Sequence, residues 1–226
     1  MPEFCFENAL VLSVKPLEDK KFIVSLFTKE RGRHLGVVRK KTPPMTASFL
    51  TGRWKARLQE QMGSYFVDEE RSGNLVFLDD AKRLNVLSSV CKLLDELLPE
   101  REDFEFFYEK TRDLLNNLTA SDFQRRYILW EIALLEVLGF GLDLSKCAGG
   151  GNSNDLAYVS PKTGRAVSRD MGEPYRDKLL PLPSFVLKDD ILPDEMSLLQ
   201  GLNLTGYFLL NHAGLRHFPV LRSLIV

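Results

Sequence analysis

The stretch ALVLSVKPLEDKKFIVSLFTKERGRHLGVVRK, residues 9–40, decides the first half of the fold. ALVLSV, FIVSLFT and LGVV are short runs rich in β-branched and aromatic residues, the composition of strands. Pro16 with Glu18–Asp19 punctuates the first run and Arg31–Gly32 the second. Thr42–Pro43–Pro44 marks the next turn. WKARLQEQ (54–61) and SYFV (64–67) then read as fourth and fifth strands, divided by Met62–Gly63. Five short strands without a long helix predict a small barrel. A five-stranded OB-type barrel fits the length, and an SH3-like barrel also fits the pattern.

From about residue 81 the period changes to helical. Leu84, Leu87, Cys91, Leu94 and Leu98 recur at helical spacing, and Phe104, Phe107, Thr111, Leu114 and Leu118 repeat the pattern beyond Pro99. A third helix is expected over 122–138, with Ser121 or Asp122 as N-cap and Gly139 just past its end. It is apolar nearly all round, as the buried centre of a bundle would be. A last helix is expected over Asp194–His212, with Met196, Leu199, Leu202 and Leu210 on one side.

The 226 residues carry 44% apolar and 27% charged side chains and a formal net charge of −1, an ordinary globular composition. Cys5, Cys91 and Cys147 are odd in number and irregularly spaced, which argues for a reducing compartment and against a disulfide framework. No basic region precedes the first apolar stretch, so no signal peptide is expected. The longest apolar run, ILWEIALLEVLGFGL (128–142), is broken by Glu131 and Glu136 and too short to cross a membrane. A cytoplasmic protein is expected.

The charge divides with the period. Residues 1–67 hold twelve Lys and Arg against six Asp and Glu, an excess of +6 that leaves −7 for the rest. A basic barrel points to a polyanion. The candidate DNA-binding cations are Lys20 and Lys21, Arg31 and Arg33, the run Arg39–Lys40–Lys41, and Arg53, Lys55 and Arg57, which alternate along the expected fourth strand. Phe22, Phe27, Phe49, Trp54, Tyr65 and Phe66 are interleaved with them. Bases stack on such rings in single-strand binding, although each ring taken singly is better placed in a core.

Catalytic chemistry finds no support. No nucleophile arrangement of known spacing occurs, and His34, His212 and His217 make no ligand set with a cysteine pair. Asp68–Glu69–Glu70, Asp79–Asp80 and Asp189–Asp190 read as solvated turns. Gly149–Gly151 lacks the Gly-Lys-Ser/Thr continuation of a phosphate loop. The segment CAGGGNSNDLAYVSPKTGRAVSRDMGEPY (147–175) has the frame of a metal knuckle, yet a structural zinc site needs four Cys or His ligands. The four positions here are Cys147, Gly150, Ser168 and Met171, so no metal or other cofactor is expected. Tyr158, Val159, Val167 and Tyr175 would then hold the loop by packing.

WEIALLEVLGFGLDLSKCA (130–148), YVSPKTGRAVS (158–168) and LPLPSFVL (180–187) resemble the RecO family of recombination mediators. The opening 9–40 stretch and LLDELLPERE (93–102) match the same family in order. The resemblance implies an α+β chain: an OB-fold over 1–80, then a helical bundle over 81–226 carrying a degenerate zinc-knuckle-like insertion at about 142–185. It resembles the family's zinc-free members. It also implies a non-enzymatic, nucleoid-associated protein of DNA repair and recombination that binds single- and double-stranded DNA and anneals complementary strands. The implied partners are RecR, often RecF, the acidic C-terminal tail of single-strand binding protein, and the RecA recombinase that is loaded. Such a tail needs an apolar groove with a cation at its rim, and the helix opened by Arg125 and Arg126 is the expected place. Simple pairing of both arginines with surface carboxylates is the competing expectation. An adaptor that binds only proteins through its barrel is the alternative to the whole reading.

Overall fold

A computed structural model describes residues 2–58, 61–72, 77, 79–218 and 220–226. The chain divides into two compact units, residues 1–115 and 116–226.

In the first unit, strand β1 (Glu3–Glu18) is long because it serves two neighbours. Its beginning pairs antiparallel with β4 (Ser48–Lys55), from Glu3↔Lys55 to Leu10↔Phe49. Its end pairs antiparallel with β2 (Lys21–Thr28), from Leu10↔Phe27 to Glu18↔Lys21. Register shifts between Phe6 and Ala9 and between Val11 and Ser13 bend it, as bulges do. β2 pairs antiparallel with β3 (Gly32–Arg39). β3 runs parallel to β5 (Gly63–Ser72) from Gly36↔Gly63 to Val38↔Tyr65, and β5 returns antiparallel along β4. Every strand of this mixed sheet has two neighbours, so the order β1-β2-β3-β5-β4 closes on itself. Side-chain alternation sends Phe6, Val11, Val24, Leu26, Val38, Leu50, Trp54 and Tyr65 into one core.

The fourth strand lies earlier than the sequence suggests. Ser48, Leu50, Gly52 and Trp54 alternate inward along SFLTGRWK, and two of those core positions carry residues that read as loop. The expected WKARLQEQ overlaps this strand only at Trp54 and Lys55, and residues 59 and 60 lie outside the described residues. Asp68–Glu69–Glu70 belongs to β5 and not to a turn.

Helices α1 (Ala81–Leu97) and α2 (Glu105–Asn116) follow. Asp80 caps α1 by accepting from Arg83 N–H at 3.1 Å. The face expected from sequence is buried at Leu87, Cys91, Leu94 and Leu98, then at Phe107, Thr111, Leu114 and Leu118. These helices dock on the sheet. Cys91 Sγ lies 3.6 Å from Val11 O, Tyr108 Oη donates to Asn8 O at 2.6 Å, and Phe107 and Tyr108 pack on Phe27. The compact unit therefore ends after the docked helices, whereas the change of period falls at the start of α1. Gly32 makes the approach possible. Its φ is +57°, and an added Cβ would lie 2.0 Å from Glu102 O.

The second unit is built on α3 (Phe123–Val137) and α5 (Glu195–Asn211). Asp122 stands at the N-cap of α3 and Gly139 follows it with φ +84°. Asp194 caps α5 by accepting from Ser197 N–H at 2.8 Å. The buried face of α5 is Leu198, Gly201, Leu202, Leu204, Thr205 and Phe208. Met196, Leu199 and Leu210, expected to share one side with Leu202, are exposed. A helix so uniformly apolar carries no stripe to read, and small residues at 201 and 205 set the packed side.

Between them lies a small sheet in the order β7-β6-β8, formed by β6 (Leu156–Val159), β7 (Ala166–Ser168) and β8 (Leu180–Pro181). A one-turn helix, α4 (Arg169–Gly172), follows β7. His212 Nε2 reaches Pro161 O at 2.9 Å and ties the β6–β7 turn to the end of α5.

The centre of this unit is charged. Glu131 on α3 is fully buried. Arg222 donates to both its oxygens, each at 2.7 Å, and Tyr127 Oη donates at 2.6 Å. Thr205 Oγ1 also donates to it, and Arg222 reaches Leu202 O at 2.7 Å. Paired and hydrogen-bonded in this way, the carboxylate is tolerated in a dry interior.

Candidate nucleic-acid interface

β3 and β5 pair over only three positions and then part. A groove of about 660 Å³ opens there, walled by Val37–Lys40 of β3 and its extension, Ser64–Asp68 of β5, Arg53 of β4 and Lys21 of β2. The pleat decides what faces it. Tyr65 is buried, while Phe66 next to it is 46% exposed. Arg53 is the cross-strand partner of Phe66, and its guanidinium lies 5.5 Å from the ring centroid. Lys21 is the cross-strand partner of Arg39. Four cations, Lys21, Arg39, Lys40 and Arg53, therefore meet one carboxylate, Asp68, and one outward aromatic ring.

The groove cations differ in freedom. Arg39 and Arg53 are exposed and make no ion pair among the described residues. Lys21 bonds Glu18 at 2.5 Å and holds that carboxyl below its usual value. Lys40 bonds Glu70 at 2.6 Å. Burial opposes the Glu70 charge, but hydrogen bonds from Lys40 and the Met45 amide outweigh it and lower its pKa.

Of the other cations expected from sequence, Lys20 sits at the β1–β2 turn, 3.9 Å from Asp19. Lys55 faces outward on β4 and pairs with Glu3 at 3.3 Å. Lys41 and Arg57 are exposed, outside the strands and the groove lining. Arg57 thus does not continue the row of Arg53 and Lys55, because β4 ends at Lys55. Arg31 is exposed beside the Phe4 ring, 5.9 Å from its centroid. Arg33 is engaged within its own unit. Its Nε donates to Leu98 O at 2.6 Å, and its other nitrogens lie 3.7 Å from Asp95 and from Glu100. This arginine is a structural tie between β3 and the end of α1.

In the second unit, Arg125 Nη2 donates to Asp189 at 2.8 Å, and Arg126 Nε donates to Asp122 at 2.9 Å. Pairing with carboxylates, the competing expectation, describes both.

The knuckle-shaped loop closes without a metal-ligand set. Ser168 N–H donates to Cys147 Sγ at 3.2 Å, and Ser168 Oγ lies 3.4 Å from the same sulfur. These bonds bring the thiol down to about 7. Gly150 turns the chain at φ +75°, and its N–H donates to Cys147 O at 3.2 Å. An added Cβ on Gly151 would lie 2.2 Å from Ser168 Oγ and 2.7 Å from Met171 Cγ. The side chains of Ser168 and Met171 thus fill the space beside the Gly turn. One thiol, one hydroxyl, one thioether and a glycine do not fit tetrahedral zinc, and among the described residues no group of three or more His, Cys, Asp or Glu suits a metal. Val159 packs as expected, and Ala166 and Ser168 join it. Tyr175 is 60% exposed and does not. Elemental analysis should accordingly find no stoichiometric zinc, and a chelator should leave the melting temperature unchanged. About one zinc per chain would refute this.

The family model described as recombination protein O, C terminal, matches residues 78–222. A DNA repair protein RecO of Rhodospirillum centenum is 42% identical over 223 residues, covering 95% of this chain and 89% of that protein. The RecO proteins of Rickettsia canadensis and Dinoroseobacter shibae are 39% and 42% identical, over 88% and 90% of this chain and 85% and 86% of their own lengths. A match that runs from the first helix through Arg222, together with relatives similar along nearly the whole chain, places this protein in the RecO family of DNA repair proteins.

Proposed function

We propose that this chain binds single-stranded DNA along the β3–β5 groove and anneals complementary strands. With RecR and RecF it would help load RecA onto strands coated by single-strand binding protein. As a RecO-family member it is a non-catalytic recombination mediator. The observation that carries the DNA reading is the groove itself, where four cations flank an outward Phe66. Cations on the walls meet phosphates without reading sequence, and an exposed ring stacks any base. The strand order, with a long β1 shared by β2 and β4 and a parallel β3–β5 closure, supports an OB-type barrel. The proposed partners are single- and double-stranded DNA, RecR and the tail of single-strand binding protein. The proposed location is the cytoplasm, at the nucleoid. The loop around Cys147 is read as a metal-free form of a zinc knuckle.

Filter binding of single-stranded DNA at several salt concentrations tests the reading. Four phosphate contacts give a log–log salt slope of about −3, at roughly 0.7 per contact on a single strand. Phe66→Ala removes a stacking platform worth about 1–3 kcal/mol. It should weaken binding about five- to 150-fold and leave thermal stability nearly unchanged, because the ring is 46% exposed. A protein that binds no single strand even at low salt would be an adaptor for other proteins.

A further inference from the structure

A second cavity, separate from the groove, opens at the mouth of the barrel. It measures about 140 Å³ and is lined by Pro2, Glu3, Phe4, Arg31, His34, Trp54 and Arg101. Three rings form its body. Phe4 stacks on Trp54 at 5.4 Å and 29°, and His34 stands edge-on to both, at 5.0 and 4.7 Å.

Its polar groups are arranged for a ligand with both a ring and a negative charge. The Trp54 indole N–H has no hydrogen-bond partner among the described residues, and Trp54 is only 3% exposed. Burial, with the charges of Arg101 and Arg31, lowers His34 to about 4, so its imidazole is neutral at pH 7. Its Nδ1 is tied to Tyr65 Oη at 3.2 Å. Arg31 and Arg101 are the lining cations, and the one carboxylate, Glu3, is paired with Lys55. The volume is well under the roughly 300 Å³ at which pockets for drug-sized ligands begin, so it suits a single ring system.

We infer that the barrel mouth holds one unstacked nucleotide. Its base lies against Phe4, His34 and Trp54, and its phosphate lies at Arg31 and Arg101. This deepens the proposal of single-strand binding. The groove would track the backbone while the mouth captures one base from it. Acceptance of a base through an aromatic pocket tolerates any sequence.

Nuclear magnetic resonance tests it on the full chain. The protein has two tryptophans, Trp54 and Trp130, hence two indole N–H signals, and Trp130→Phe assigns them. Thymidine 5′-monophosphate should move the Trp54 signal saturably and leave the Trp130 signal in place. Deoxyribose 5-phosphate should not move it. Arg31→Ala should weaken the nucleotide effect about tenfold, the size of one lost charge-assisted bond. A Trp54 signal unmoved by the mononucleotide, and unmoved by a strand shown by anisotropy to be bound, overturns the inference and leaves the groove standing. A signal moved by an acidic peptide and by no nucleotide overturns it in favour of a protein ligand. Absence of strand binding alongside a saturable mononucleotide shift refutes the groove and keeps the pocket.

Discussion

Arg222→Ala is expected to destabilise the 116–226 unit by about 3–5 kcal/mol, the cost of leaving one member of a buried pair without the other. Glu131 is fully buried, and Arg222 supplies two of the hydrogen bonds that satisfy it. Tyr127 and Thr205 remain in the variant but are neutral, so the carboxylate keeps donors and loses its countercharge. The guanidinium also packs over Phe218 at 4.5 Å, and that contact goes with it. Denaturant unfolding followed at Trp130, which lies on α3 one residue from Glu131, reads the effect in the right unit. The double variant Glu131→Leu with Arg222→Met removes both charges and should recover most of the loss, since well-packed apolar residues often replace a buried pair without penalty. A midpoint change equivalent to under about 1 kcal/mol for Arg222→Ala would place the pair among weak surface bridges and refute the reading.

The triple variant Lys21→Glu, Arg39→Glu and Arg53→Glu is expected to weaken single-strand binding by at least about 100-fold. Three charge-assisted phosphate contacts are lost at about 1.5–3 kcal/mol each. The salt slope should flatten by about 2, at roughly 0.7 per phosphate. Different sequences should suffer equally, because phosphate contacts carry no base information. Lys40 is left in place because it neutralises Glu70, which also holds Met45 N–H and Ser48 Oγ. A glutamate there would oppose two carboxylates and confuse stability with binding. Arg33 is left for a similar reason, since it ties β3 to Leu98, Asp95 and Glu100. Thermal unfolding should barely move. A folded triple variant with unchanged affinity and slope would send the search to Lys41 and Arg57, the exposed cations off the groove.

The sequence carried the helical half better than the details of the site. Leu87, Cys91 and Leu94 repeat at helical spacing and are buried on α1, and Leu98 is buried just past its end. Asp122, one of the two expected N-cap residues, stands at the N-cap of α3 without a side-chain cap bond, and the expected start of the last helix at Asp194 is where α5 is capped. α5 offered no stripe to read, and of the residues expected to share one side only Leu202 is buried. The fourth strand was misplaced because Ser48 and Gly52 sit at core positions. Arg33 and Arg39 look alike in sequence, both on β3. What separates them is a set of acceptors on a helix and turn some 65 residues away, which no local pattern announces. Phe66 and Tyr65 present the same difficulty. A one-residue change of register exchanges inside and outside, so only the observed pairing of β5 with β4 says which ring meets solvent.

The separation of 91 residues between Glu131 and Arg222 also sets a timetable for synthesis. Residues 1–115 form a compact unit of their own, so that unit can fold while the ribosome is still translating the rest. α3 emerges with an acid in its middle and no base to meet it until residue 222 has left the exit tunnel. Domains made in order fold in order at about 5–20 residues per second, which leaves α3 waiting for several seconds. A chain stalled or truncated before residue 222 would leave that acid without its base.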